Sequence, residues 1–243
     1  MKFKNFFQRK ERKLLFIFGC PRGGTTWLWS LFESHKDVLP FVDGVVKNKD
    51  GKYSTSESGI YVKRPLQAKK EILNFLNENK GYFIIEKTPL HTLSYNKIIN
   101  DFPKANYLII YRNPIAIVNS MVQSNMEAFK DYDIKKSISE VKKYYSSLIQ
   151  ISENHQVTEI TYEYLFSNPE KILKNLFQEY NLSTESISEI IASNHKKSPV
   201  SVKGVLRKGN SNSFQTDLKV EEQEYIKSKL ENEIYFFNTK LKA

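Results

Sequence analysis

The sequence predicts an α/β fold of three layers, a mostly parallel central sheet with helices on both faces. The apolar runs at residues 14–19, 82–85 and 106–111 are continuous rather than alternating, the pattern of strands buried on both sides. Segments of helical spacing separate them, as crossover connections between parallel strands require. The composition agrees, because 243 residues at 40% hydrophobic and 26% charged describe one globular domain over 1–243, with a basic lead-in at 1–12. A chain of this length buries roughly 70–75% of its unfolded surface, which excludes a disordered chain or a mini-protein scaffold.

Residues 14–19 (LLFIFG) form the first strand and 21–24 (PRGG) a turn. From Thr25 onward, Trp27, Leu28, Leu31 and Phe32 fall at i, i+1, i+4 and i+5, one stripe of a helix. Residues 43–64 are polar and punctuated by glycine, a surface segment or hairpin of the kind that forms binding loops. An amphipathic helix over 66–79 stops at Lys80-Gly81, and the strand 82–85 runs into E-K-T-P at 86–89. The strand 106–111 runs into Arg112-Asn113-Pro114, where the proline opens a helix over 115–126. Another helix is predicted over 134–153, a fourth strand over 157–161, and a helix capped by Asn168 with Pro169 and Glu170 in its first turn running through 180. A polar stretch at 193–213 precedes a last helix from about 219 to 231.

Lys and Arg exceed Asp and Glu by 37 − 27 = 10, which favours an anionic partner without choosing among a phosphate-bearing cofactor, nucleic acid, an acidic glycan or an anionic surface. The single cysteine, Cys20, forms no internal disulfide, and with four scattered histidines it offers no zinc ligand set. His35, His155 and His195 therefore read as surface residues. The run LLFIFGC is too short to span a membrane and no small-residue cleavage site follows it, so no transmembrane segment or leader is expected and a cytoplasmic, reducing compartment fits best.

In open α/β sheets the ligand lies beyond the carboxyl ends of the strands, so the chemistry is sought at 20–26, 86–91, 112–113 and 162–163. The run C-P-R-G-G-T-T-W at 20–27 is a phosphate cradle. Gly23 and Gly24 let backbone amides approach a ligand, Thr25 and Thr26 add hydroxyls, the helix N-terminus adds its dipole, and Arg22 supplies a bidentate cation. A Walker A loop is absent, and so is its Lys-Ser/Thr pair for magnesium; no metal is expected.

This unit resembles the 5′-phosphosulfate loop of sulfotransferases that use 3′-phosphoadenylyl sulfate (PAPS). A second, independent match is Y-R-N-P-I-A-I-V-N-S at 111–120, similar to the family's 3′-phosphate motif, with Arg112 at the strand end and Ser120 on the following helix. I-T-Y-E-Y-L-F-S-N-P-E at 160–170 resembles the segment whose tyrosine lies near adenine, here Tyr162, and Trp27 matches the tryptophan that stacks on adenine. Arg207, Lys208 and Gly209 resemble the late R-K-G that covers the 3′-phosphate. The resemblance implies the P-loop-like sulfotransferase fold, PAPS as co-substrate, and sulfuryl transfer to a hydroxyl or amine. It also implies that Arg22 stabilises charge on the 5′-phosphosulfate, and that Lys87 of E-K-T-P, the form found in glycan-type relatives, reaches the transferring group.

Pro89 stands where cytosolic relatives carry a histidine base, so the base is open among Asp43, Glu86 and His91. The polar segments 43–64, 127–135 and 193–213 suit a polar acceptor, a saccharide or glycolipid, and no nucleic acid. A nucleotide or small-molecule kinase and a non-catalytic basic module are the competing readings; the missing Walker A residues count against the first.

Overall fold

The computed structural model describes residues 13–43, 53–196 and 213–241. Five strands, β1 (Leu14–Gly19), β2 (Val38–Pro40), β3 (Phe83–Lys87), β4 (Asn106–Tyr111) and β5 (Thr158–Thr161), form one sheet in the order β2-β3-β1-β4-β5. Every neighbouring pair is parallel, with Ile17 opposite Lys87 on one side of β1 and Gly19 opposite Ile110 on the other. Strands join first on one side of β1 and then on the other, so the sheet's switch point falls at the carboxyl end of β1.

Alternation along the strands feeds two cores. Leu14, Phe16, Phe18, Ile84 and Ile109 face α3 (Ala68–Glu78), α4 (Tyr95–Asp101), α5 (Pro114–Val122) and α6 (Ile134–Asn154). Leu15, Ile17, Ile85, Leu108 and Ile110 face α1 (Thr25–Glu33), α8 (Pro169–Glu179) and α9 (Ile187–Lys196). The continuously apolar strands are thus the middle layer of three. Between these elements lie α2 (Ile60–Lys63), a 3₁₀ turn at Pro89–Ser94 and α7 (Tyr162–Ser167). The chain continues through α10 (Phe214–Asp217), α11 (Val220–Lys229) and α12 (Glu231–Lys240). Among the described residues no helix is long and apolar enough to cross a membrane.

Several expectations change. The three-residue β2 was not foreseen, since a short edge strand ending in proline carries almost no pattern. Residues 53–61 are no surface hairpin: Tyr53, Ser56, Ser58, Ile60 and Tyr61 are buried. The helix predicted from about 219 to 231 is α11, but it is not the last, because α12 follows after Leu230, and α9 extends into the stretch read as polar. His35 is not a surface residue but lies in the core, where the amide of Asp37 donates to Nδ1 (3.1 Å). Nε2 must then carry the proton and donate to the Ser183 carbonyl (3.0 Å), which fixes a neutral tautomer.

Helix starts show which capping signals act. Asn113 caps α5 by accepting from the Ile115 amide (2.9 Å), with Pro114 as first helical residue, as predicted. Asp133 caps α6 by accepting from the Lys136 amide (2.7 Å). Asn168 makes no such bond; its amide instead donates back to the Tyr164 carbonyl (3.4 Å). Asp133→Ala is therefore expected to cost about 1 kcal/mol in urea denaturation and Asn168→Ala only a few tenths, and equal costs would contradict this account of the caps.

Candidate active site

The carboxyl end of β1 turns sharply into α1. Arg22 takes a left-handed backbone conformation (φ 66°), Gly24 another (φ 97°), and the Gly23 amide donates to the Cys20 carbonyl (2.8 Å). A Cβ on Gly23 would stand 2.7 Å from that carbonyl oxygen, and one on Gly24 would stand 2.4 Å from Cδ2 of Tyr162. Both glycines are required by close approach. The turn also aims the first amides of α1, which have no carbonyl one turn back within the helix, at the space beyond the strand ends.

Arginines from two segments meet over this turn. Arg112, at the end of β4, donates through Nη1 to the Arg22 carbonyl (2.8 Å), and its guanidinium lies 4.5 Å from the centroid of the Tyr162 ring. Arg22 sends its own side chain the other way, with Nε donating to Ser120 Oγ (3.1 Å) and Nη1 contacting Met126 Sδ (3.1 Å). The Arg112 corner is held from behind: Tyr145 donates to its carbonyl, and Glu163 accepts from the Asn113 amide (3.0 Å). Burial pushes the Glu163 carboxyl above its ordinary value. Trp27 lies edge-on to Tyr162 (5.6 Å), and Phe166, which the sequence reading passed over, stacks on Tyr162 (6.1 Å, 22°).

Beside this arrangement, Lys87 ends β3 wholly buried. Its ammonium donates to Thr26 Oγ1 of the loop (3.2 Å), Ser56 Oγ (2.7 Å) and Glu57 Oε1 (3.1 Å). Burial lowers the Lys87 pKa, and the Glu57 carboxylate opposes that shift without cancelling it. Glu57, which contacts Lys87 here, was not among the residues the sequence singled out. It stands in the polar run S-T-S-E-S-G at 54–59, and its only signal was an acid within a candidate binding loop, the loop that Asp43 opens.

Adjacent residues on a strand face opposite ways, and Glu86 accordingly lies on the other face of β3 from Lys87. It accepts from Ser58 Oγ (2.7 Å), Thr88 Oγ1 (2.7 Å) and His91 Nδ1 (2.9 Å), with both Glu86 and His91 at most 1% exposed. Because the Tyr61 amide donates to His91 Nε2 (3.1 Å), the imidazole proton sits on Nδ1. Neither Glu86 nor His91 is brought to the loop. Asp43 is exposed and turned to Lys63 Nζ (2.6 Å), whose hydrogen bond holds its carboxyl below the usual range. Of the sequence candidates, Arg22, Gly23, Gly24, Thr25, Thr26, Trp27, Arg112, Ser120 and Tyr162 gather at the end of β1, with Lys87 next to them. Arg207, Lys208 and Gly209 lie outside the described residues. Among the described residues no group of three or more His, Cys, Asp or Glu is disposed to hold a metal ion.

Comparison with known proteins follows the same lines. A sulfotransferase family model matches residues 55–186, more than half of the chain, and the chain belongs to that family. It is similar to protein-tyrosine sulfotransferase 1 of Danio rerio, 22% identical over 199 residues, and spans 55% of that relative's length while 73% of this chain is matched. Among solved structures, a mouse sulfotransferase complexed with PAP superposes with a TM-score of 0.60 at 12% identity over 91% of this chain and 85% of that one. The sulfotransferase domain of the Synechococcus olefin synthase superposes at 0.58 and 14% identity, over 88% and 93%. The fold is the P-loop-like sulfotransferase fold.

The Glu86 cluster gives stability a defined pH dependence. Burial pushes its carboxyl up, but His91, Thr88 and Ser58 together outweigh that and hold it below the ordinary glutamate value of 4.5. A lowered folded pKa stabilises the fold above the unfolded value and loses that stabilisation as pH falls through the folded one. Urea denaturation is expected to show a gap between the wild type and Glu86→Gln at about pH 7 that narrows on acidification below the ordinary glutamate value of 4.5, and a gap that is constant or widens there would contradict the assignment.

Proposed function

We propose that this chain transfers the sulfuryl group of PAPS to the hydroxyl or amine of an acceptor. The observation that carries the reading is the meeting of Arg112 and Ser120 with Arg22 at the mouth of the glycine turn, through the Arg22 carbonyl and guanidinium. Two anion-binding groups of separate origin are thereby joined, as a donor phosphorylated at both ends requires. PAP in the mouse relative's crystal supports the same donor here.

In this reading the amides at 24–26 and the dipole of α1 bind the 5′-phosphosulfate, and Arg112 and Ser120 bind the 3′-phosphate. Tyr162, Trp27 and Phe166 form an aromatic wall for adenine. Arg22, held by Ser120 before donor binds, lies between the two phosphate positions and stabilises negative charge without giving up a proton. Lys87 and Thr26 face the sulfuryl group. The acceptor oxygen or nitrogen forms a bond to sulfur while the bond from sulfur to the 5′-phosphate oxygen breaks, in line, and the bisphosphate leaves as an anion. The acceptor's proton passes to the Glu57 carboxylate once Lys87 turns from it to the sulfuryl oxygens. Such base assistance contributes about 10²–10⁴-fold.

Glu57 thus replaces Asp43, Glu86 and His91 as the base, because it alone of the four contacts Lys87. The acceptor side, between residues 53–64 and 123–133, carries serine and lysine and suits a polar hydroxyl compound. A saccharide and the side chain named for the Danio rerio relative both fit that description. With one buried cysteine, we also keep the cytoplasmic assignment as our reading.

Titration calorimetry or thermal shift with 3′-phosphoadenosine 5′-phosphate, beside AMP, tests the donor. At a hundredfold excess over Kd the bisphosphate is expected to stabilise the protein by about 2.7 kcal/mol, with AMP giving much less and Arg112→Ala removing most of the difference. Equal responses to the two nucleotides would overturn the assignment of Arg112 and Ser120.

A further inference from the structure

The cluster on the far face of β3 touches none of the groups assigned to the donor, and it is bound to one stretch of chain, residues 58–61. The consecutive amides of Gly59, Ile60 and Tyr61 donate to Thr88 Oγ1 (3.1 Å), Ser58 Oγ (3.3 Å) and His91 Nε2 (3.1 Å). Each of these three side chains in turn donates to the Glu86 carboxylate. The ionised carboxylate orients all three: two hydroxyl protons and the Nδ1 proton point at it, leaving a lone pair on each partner for an amide. A carboxamide at this position offers donors on one side and cannot accept from all three.

The stretch begins one residue after Glu57. Two successive residues, Glu57 and Ser58, are matched to two successive residues of β3, Lys87 and Glu86, on opposite faces of the strand. A slip by one residue would set Glu57 against Glu86, like charge against like, and leave the Lys87 ammonium facing a hydroxyl. The register of Glu57 against Lys87 is therefore held from the side of the sheet that the reaction does not use.

We propose that Glu86 is a positioning residue, acting through Ser58, Thr88 and a neutral His91 to hold the Glu57 carboxylate in register with Lys87. The functional part of this proposal rests on Glu57 being the base; the structural part does not. His91 serves as an uncharged bridge, donor on one nitrogen and acceptor on the other, and takes no proton from the acceptor.

Two readouts test it, amide hydrogen exchange and turnover of PAPS with water as acceptor. In Glu86→Gln the amides of Gly59, Ile60 and Tyr61 are expected to exchange faster while those of β1 and β4 stay protected. Misplacement of the base should lower kcat by about 10–100-fold with the KM for PAPS little changed. His91→Gln keeps one donor and one acceptor and should retain much of the activity that His91→Leu loses; this pair decides the matter if Glu86→Gln does not fold. Wild-type kcat with protected amides in Glu86→Gln would overturn the proposal. So would equal loss in His91→Gln and His91→Leu, or a KM that rises as far as kcat falls. Glu57→Gln separates the layers. If it turns over normally, the base assignment fails and hydrogen exchange still judges the clamp; if it is inactive while Glu86→Gln exchanges like wild type, the clamp alone fails.

Discussion

A lysine ammonium with no exposure to water ends the strand beside β1, and the candidate site is arranged around satisfying it. A buried cation left alone costs several kcal/mol, so each of its three protons needs an acceptor. Thr26, Ser56 and Glu57 supply them from two segments distant in sequence, the N-terminus of α1 and the chain that precedes α2. Lys87 therefore does more than supply charge: it fixes how the glycine turn, the strand end and the segment before α2 stand relative to one another. Its neighbour Glu86 does the complementary work on the opposite face, where a buried anion gathers three donors.

The phosphate side follows a different logic, in which backbone geometry comes first. Arg22 and Gly24 both adopt left-handed conformations, which cost a residue with a side chain of order 1 kcal/mol or more and persist only where surroundings enforce them. Here the enforcement is visible: Arg112 grips the Arg22 carbonyl, and Tyr162 lies so close to Gly24 that no side chain fits between. The same two residues are assigned to the 3′-phosphate and the adenine. Shaping the turn and holding the far end of the donor are thus tasks of one pair of side chains.

The parts of this design that are local in sequence were legible there. β1, the glycine turn and α1 follow one another without interruption, β4 runs straight into Arg112 and Pro114, and the residue types of P-R-G-G-T-T-W read as a phosphate cradle, while the role of R-N-P came from family resemblance alone. What depended on tertiary contact was not legible. Glu57 sits in a serine-rich run whose composition reads as solvated, and only its pairing with the end of β3 shows that Ser56 and Ser58 are buried. Glu86 was weighed as a base because it adjoins Lys87 in sequence, and His91 because an imidazole often serves as one; that they seal each other off across the sheet from Lys87 is a fact of strand alternation and of the 3₁₀ turn that brings His91 back. β2 escaped notice for the opposite reason, being too short to carry a pattern.

The central claim is that one donor molecule bridges the turn after β1 and the Arg112–Ser120 corner. A crystal structure of the chain soaked with 3′-phosphoadenosine 5′-phosphate tests it most directly. The account predicts the 5′-phosphate within about 2.7–3.2 Å of amides in the glycine turn and the 3′-phosphate against both Arg112 and Ser120. Density for the bisphosphate elsewhere on the molecule, or one phosphate seated while the other points into solvent, would contradict it.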